Sequence, residues 1–561
     1  MKPLLMALLL TCSSVAVQAA TPGGPNAGTI LQQVKPIAQP LPSLSEPDLL
    51  IKEADRAAND LPQSAPFLVQ RIVITNNTAV DVPTLHALVA DAEGKSLTLF
   101  ELGELAARIT DFYRTHGYFL TRAIIPPQTI ASGVARIEVI EARYGQIEFI
   151  NNSQVRDASL QATLSALQGG PVVSQAELDR ALLLLSDFPG VMVKSTLKPG
   201  QTSGTADLQV STAPLPALSG NLAFDNYGNR YTGQSRMGAT LNYTNPLHQG
   251  DTLSASGLHS GRGLNYLRLA YDSVVNRQGS RLGGAYSSVQ YALGAPLNAL
   301  KAHGSAQVKS FWAKHPLVRS LDVNLYGQLQ YDQLQLRDHI DASAIRTDRS
   351  LKTWTMSLSG DARDTILSGG INTWNFSGTQ GQVGFDNAAA KSVDAGSAQT
   401  GGSFTKWTAN LTRLQTLSSQ SALYLSYAGQ WANTNLDASQ KMSVGGPYSV
   451  RAYNVGVLSG DSGHFLSAEL RYELGPAWHA TWLAVAFIDN AQITINKNNG
   501  FTGSNCTCNN VTLRGAGFGL SLIGPDQWTA GLYIATPVGT EAALVGATNS
   551  VRAWAEVRKA F

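Results

Sequence analysis

Only three cysteines stand in 561 residues, and two of them, Cys506 and Cys508, lie beyond the first twenty. Cysteine this sparse excludes a disulfide-stapled scaffold. Charge is scarce too: Asp, Glu, Lys and Arg make up 14% of the chain, against roughly 25% in ordinary soluble domains. The signs nearly cancel, with 41 basic and 39 acidic residues, so there is no electrostatic footprint for nucleic acid. Past the N-terminus no apolar run approaches the ~18 residues a membrane helix needs.

Signatures of catalysis are missing as well. The 9 histidines show no H-E-x-x-H and no pair at helical metal-ligand spacing. No G-x-S-x-G elbow occurs. Glu93–Ser96, EGKS, has Val89 where a phosphate loop opens on glycine. Gly460-Asp461-Ser462-Gly463 spells the tetrapeptide found around a serine-protease nucleophile. His464 follows it instead of a second glycine, and no partner histidine stands in a protease-like context. The expectation is a protein that is not an enzyme and needs no metal or cofactor.

What the chain does contain falls into zones. Residues 1–19 carry an early Lys2, a short apolar run and small residues ending Val17-Gln18-Ala19, the pattern of a secretory signal peptide. Thr11 before Cys12 argues against a lipidated cysteine. Export favours oxidation, so Cys506 and Cys508 read as a small loop disulfide rather than a metal or redox pair, since no third ligand lies nearby.

Residues 20–64 hold a helical stretch, NAGTILQQVK, then Pro36, Pro40, Pro42 and Pro47, which read as an extended linker. Residues 65–143 and 144–213 form an internal repeat, each copy reading strand, helix, helix, strand, strand. Leu102, Leu105, Ile109 and Phe112 recur at helical spacing, as do Leu178, Leu182 and Leu185. Gly117 and Gly190 are expected to end the second helix of each copy.

From 214 to 561 helical spacing gives way to two-residue alternation. In FLSAELRYEL, Leu466, Ala468, Leu470, Tyr472 and Leu474 face one way; Ser467, Glu469, Arg471 and Glu473 face the other. In VNLYGQLQYD, Val323, Leu325, Leu329 and Tyr331 alternate with Asn324, Gln328, Gln330 and Asp332. Strands of about 9–11 residues, apolar on one face, mark a membrane β-barrel, here of about 16 antiparallel strands. A soluble sandwich would need more Lys and Glu on its outer face. Odd-numbered strands then run outward, and the loop holding Arg451, between strands eleven and twelve, lies on the outer side.

The layout resembles the two-partner secretion outer-membrane transporters of the TpsB type, the haemolysin activator and secretion family within the POTRA-bearing barrel superfamily. Tyr113–Glu141 is similar to the end of a first POTRA domain there, and DNYGNRYTG followed by NPLHQGD resembles the first hairpin. Gly445-Gly446 and Val450-Arg451-Ala452-Tyr453 resemble the family's Val-Arg-Gly-aromatic loop, with Ala452 in the glycine's place. Phe487-Ile488-Asp489 matches the aromatic-x-Asp partner motif on strand thirteen, with Ala491 where glycine is common.

The resemblance implies a membrane β-barrel in the Gram-negative outer membrane, preceded by two periplasmic α/β POTRA domains. It implies export of one dedicated, unfolded exoprotein, with outer-membrane lipid as the other partner. The POTRA domains would capture the client, the helix would plug the resting pore, and client folding outside would give direction where no ATP is available. The Arg451 loop would fold into the lumen to meet Asp489, with Tyr453, Gly445 and Gly446 shaping it. An assembly insertase of the same superfamily is the alternative, but it usually carries more POTRA domains. A simple porin would lack both the repeats and the arginine loop.

Overall fold

A computed structural model describes residues 24–34, 48–51, 64–500, 509–539, 545 and 551–561, apart from 131 and 262. The expected signal peptide and the Cys506–Cys508 pair fall outside the described residues.

Two small α/β units come first. In the first, strands Arg71–Thr75, Val134–Ile140 and Arg122–Ile124 form a sheet in that order, covered by helices Val82–Ala87 and Leu99–Thr115. The long helix begins where Thr98 and Glu101 exchange side-chain-to-backbone hydrogen bonds, a capping box. Leu102, Leu105, Ile109 and Tyr113 form its buried stripe against Ile72, Ile74, Ile137 and Val139. Gly117, with φ of +87°, follows its C-cap His116.

The second unit repeats the order: Arg143–Asn151, helices Asp157–Leu164 and Gln175–Ser186, then Val191–Pro199 and Thr205–Pro214. It has its own core, in which Leu178, Leu182 and Leu185 pack on Val193, Leu208 and Val210. Its second helix stops earlier than expected, with Asp187 as C-cap. Gly190 instead takes its positive φ in the turn that leads into Val191–Pro199.

The proline-rich linker is not bare. Asp48–Ile51 pairs in parallel with residues 194–197 of Val191–Pro199 and becomes the edge of that sheet. Composition hides this, because an extended proline-rich chain needs only an open strand edge to become a strand.

The remainder is a closed ring of 16 antiparallel strands. Strand one, Leu218–Asp225, and strand sixteen, Arg552–Ala560, close it by pairing from Asn221↔Ala560 to Asp225↔Glu556. Alternation sets the two faces: Leu466 and Leu470 are 50% exposed on the outside, whereas Ser467 and Glu469 are buried within.

The wall is uneven. Strands six, Ala302–Arg319, seven, Val323–Ile340, and eight, Ile345–Asp364, have 18, 18 and 20 residues, well beyond the expected length. A hairpin that satisfies its own backbone can continue past the bilayer as a ribbon in water, so thickness bounds the crossing and not the strand. A short helix, Ala388–Ala395, also interrupts the all-strand expectation in an outer loop.

The α/β units identify the inner end of the barrel. The turn after strand two, Arg236–Thr244, takes Asn245 Nδ2 to the Pro189 carbonyl, and Gly250 lies against Phe188. At the end of strand six, Arg319 grips Asp187 through Nη2 at 2.7 Å and Nε at 2.9 Å. Even-to-odd turns therefore face the α/β units, and odd-to-even loops face the other way.

Candidate functional site

Among the described residues, two elements that are not wall lie inside the lumen. The first is helix Ala27–Val34. Asn26 starts it by accepting from Thr29 N at 3.0 Å, while Thr29 Oγ1 accepts from Asn26 N at 2.9 Å. Ala27, Ile30, Leu31 and Val34 are buried against Leu264, Tyr266, Val289, Ala306, Leu334, Leu336 and Leu351. These are inward positions near the outer ends of their strands, and they make one apolar patch on the inner wall. Burying Ile30, Leu31 and Val34 there contributes on the order of 1.5–3 kcal/mol each.

The second element is the loop 433–461, between strand eleven, Ser421–Ala432, and strand twelve, Ser462–Ala477. It doubles back as a hairpin, Met442–Val444 pairing with Leu458–Gly460. Gly445 and Gly446 turn its tip with φ near +100°, and a Cβ on Gly445 would lie 2.3 Å from the Asn454 carbonyl oxygen. Gly446 N donates to the Tyr453 carbonyl at 3.0 Å, and Tyr453 N to that of Val450 at 3.2 Å, which folds Val450–Tyr453 into a tight turn. Ala452 is fully buried there without a positive φ, so alanine serves where the motif usually has glycine. Its Cβ occupies the space that a side chain on Gly515 would need.

Arg451 sits at the centre of this tip, 5% exposed. Its Nε and Nη2 clasp Asp489 of strand thirteen, Ala480–Thr494, at 2.9 and 2.7 Å, a bidentate fit that lysine cannot make. Nη1 donates to Glu469 at 2.7 Å, and Nη2 also reaches Ser467 Oγ at 3.0 Å. The backbone N of Arg451 donates to Asp489 as well, at 3.0 Å. The guanidinium lies 3.4 Å above the Phe487 ring. Trp554 Nε1 donates to the Arg451 carbonyl at 2.7 Å. Arg471 then takes the second oxygen of Glu469 at 2.7 and 2.9 Å, so two guanidiniums balance two carboxylates.

Arg451, Tyr453, Asp489, Gly445 and Gly446 thus converge on one inner wall. Alternation could not settle which way Asp489 points, because WLAVAFID is apolar on both sides. In the fold Ile488 is 63% exposed outward and Asp489 is buried inward. Ser467, Glu469 and Trp554 escaped the sequence reading as partners. The polar face of FLSAELRYEL was their only signal, and nothing singled out Trp554.

The Gly-Asp-Ser-Gly tetrapeptide fixes the base of the loop. Asp461 accepts from Leu436 N at 2.9 Å, Lys497 N at 2.8 Å and Lys441 Nζ at 2.9 Å. Ser462 Oγ accepts from Ala432 N at 3.0 Å, and the His464 ring bonds Tyr427 instead, at 2.7 Å.

Comparison with known proteins gives the same architecture. Residues 204–522 match the family model described as haemolysin secretion/activation protein ShlB/FhaC/HecB, and residues 67–142 match the POTRA domain, ShlB-type. The heme/hemopexin transporter protein HuxB of Haemophilus influenzae is 26% identical over 475 residues, 84% of each chain. The outer membrane transporter CdiB of Escherichia coli is 24% identical over 489 residues, 84% of this chain and 79% of that one. The solved structure of CdiB from Escherichia coli superposes with a TM-score of 0.73 at 20% identity, covering 91% of this chain and 92% of that one.

Proposed function

The chain belongs to the haemolysin secretion/activation protein family of outer-membrane transporters, and on that footing we propose that it passes one dedicated partner protein, unfolded, through its own lumen. Its barrel spans the outer membrane, with POTRA structure in the periplasm. Family membership also decides against the assembly insertase that the wider superfamily left open.

The observation that carries the proposal is the nature of the lumen filling. Helix Ala27–Val34 and the loop 433–461 belong to no barrel strand; backbone-to-backbone bonds tie the loop to the wall only at its two roots, Asn433 and Asp461, and the wall contacts named above each use at least one side chain. Such a filling can leave without opening the wall, which suits intermittent passage of an extended chain. Arg451 and its carboxylates position the loop tip, and the wall's closure does not depend on them. Client capture fits strand addition at a POTRA sheet edge, which satisfies the backbone of an unfolded chain whatever its side chains are.

The test is a comparison of culture medium from cells with and without the gene. Loss of one large secreted protein, with outer-membrane barrels unchanged in amount, is expected. Depletion of many outer-membrane barrels would restore the insertase.

A further inference from the structure

Another buried arginine lies several strands around the wall from the Arg451 site, and no motif points to it. Arg349, on strand eight, is 8% exposed. Its Nη2 donates to Asp338 Oδ2 of strand seven, and its Nη1 to Asp437 Oδ2 of the loop at 2.8 Å. The other oxygen of Asp338 accepts from Ala27 N, the first amide of the lumen helix, at 2.7 Å, and from Tyr291 Oη at 2.6 Å. The other oxygen of Asp437 accepts from Ser439 N at 2.9 Å. Ser439 O in turn accepts from Gln32 Nε2 of the same helix at 2.5 Å.

The contacts close into a ring: helix, Asp338, Arg349, Asp437, Ser439, helix. We propose that Arg349 is the positioning residue that latches the lumen helix and the loop to one point of the wall, so that neither is released without loosening the other. The role assumes the transport reading, although the contacts do not.

The charges explain the coupling. One guanidinium faces two carboxylates, leaving an excess negative charge in a buried site. The N-terminus of the lumen helix, which carries roughly half a positive charge, supplies the balance at Asp338. Withdraw the helix, and Asp338 loses an amide donor and that compensation. It then competes with Asp437 for the one guanidinium, whose Nε finds no partner among the described residues. Detach the loop at Asp437, and Ser439 no longer presents its carbonyl to Gln32. The surfaces are also in close contact, since a Cβ on Gly28 would stand 2.6 Å from Ser439 N.

The test is single-channel conductance of the purified full chain in planar bilayers, with heat-modifiability as the check on barrel folding. Arg349→Gln is expected to lower the closed-to-open ratio by about 100-fold, the scale of breaking a buried charge pair. Arg349→Lys, which keeps the charge and loses the fork, should recover part of it. Asp437→Asn, a loop variant on which no barrel strand depends, should open the pore by itself. In a Gly28→Val background, where the helix cannot seat, Arg349→Gln should add nothing. Wild-type closure in both Arg349→Gln and Asp437→Asn would overturn the latch. So would an equal increase in conductance in the Gly28→Val background, which would mark a wall defect. No client takes part, so failure here would leave the secretion reading untouched.

Discussion

Ser467 stands directly across the sheet from Asp489, and its hydroxyl donates to that carboxylate at 2.8 Å while accepting from Arg451. The wall itself therefore supplies one of the bonds that orient the carboxylate, and Arg451 adds the rest. With Arg451 and Asp489 both nearly dry, removing either partner leaves a buried charge uncompensated, at a cost of roughly 3–5 kcal/mol.

Arg451→Ala should leave a heat-modifiable barrel and strongly reduce secretion, because the loss falls on the loop tip and the strand ladders persist. Arg451→Lys should restore only part. Asp489→Ala should give a similar defect, and the double variant should be no worse than either single one. Secretion assays in the four strains check this, and clearly additive losses would sink the pairing.

Trp554 offers a milder test on the same tip. Trp554→Phe keeps the ring and removes the donor to the Arg451 carbonyl. It should loosen the loop by ~1–3 kcal/mol, as expected for a buried acceptor left without its bond. Secretion should fall less than in Arg451→Ala, and normal secretion together with normal loop protection from protease would count against this contact.

How much of this was legible depended on whether a pattern was local. The faces of FLSAELRYEL could be read, because a buried Glu469 beside an exposed Leu470 follows the period-two rule. The inward direction of Asp489 needed an energetic argument, since Val485 and Phe487 point inward with it and leave no alternation to follow. Val289, Leu334 and Leu351 resisted reading for the same reason: they make inward positions apolar, and their partner helix lies some hundreds of residues earlier in the chain. Arg349 and Asp437 likewise carry no local signature, because their pairing exists only once the loop has folded across the lumen. The strand Asp48–Ile51 was hidden by proline composition.

The first α/β unit has a pH signature. Glu141 is 7% exposed and accepts from Thr78 N at 2.7 Å, Ala79 N at 2.8 Å, Thr78 Oγ1 and Tyr113 Oη at 2.8 Å. Burial alone would raise its pKa, but these donors outweigh burial and hold it below the ordinary 4.5. A depressed folded value contributes stability above the unfolded pKa and loses it as pH falls through the folded one. The fragment 65–213 contains both independent cores and should fold alone. Its melting temperature should drop as pH falls below about 4.5. Glu141→Gln should destabilise it at neutral pH by ~1–3 kcal/mol and flatten that dependence. An unchanged acid profile in Glu141→Gln would assign the transition to other carboxylates.

The lumen helix makes the last prediction. It is attached by an apolar stripe, by Asp338 at its first amide and by Gln32 at Ser439, and it pairs with no strand. A chain lacking residues 24–34 should therefore still close its barrel, because all 16 strands and their ladders remain. It should, however, lose the cover over Val289, Leu334 and Leu351. Water and ions would enter along that side, so conductance in planar bilayers should rise well above that of the full chain. Secretion should persist, because an element in the path of an extended chain must leave before the chain can pass. The two readouts separate the possibilities. Higher conductance with normal secretion is the behaviour of a removable plug. Unchanged conductance would mean that the loop 433–461 alone seals the lumen. Higher conductance with lost secretion would make the helix part of the transport path instead of an obstacle to it.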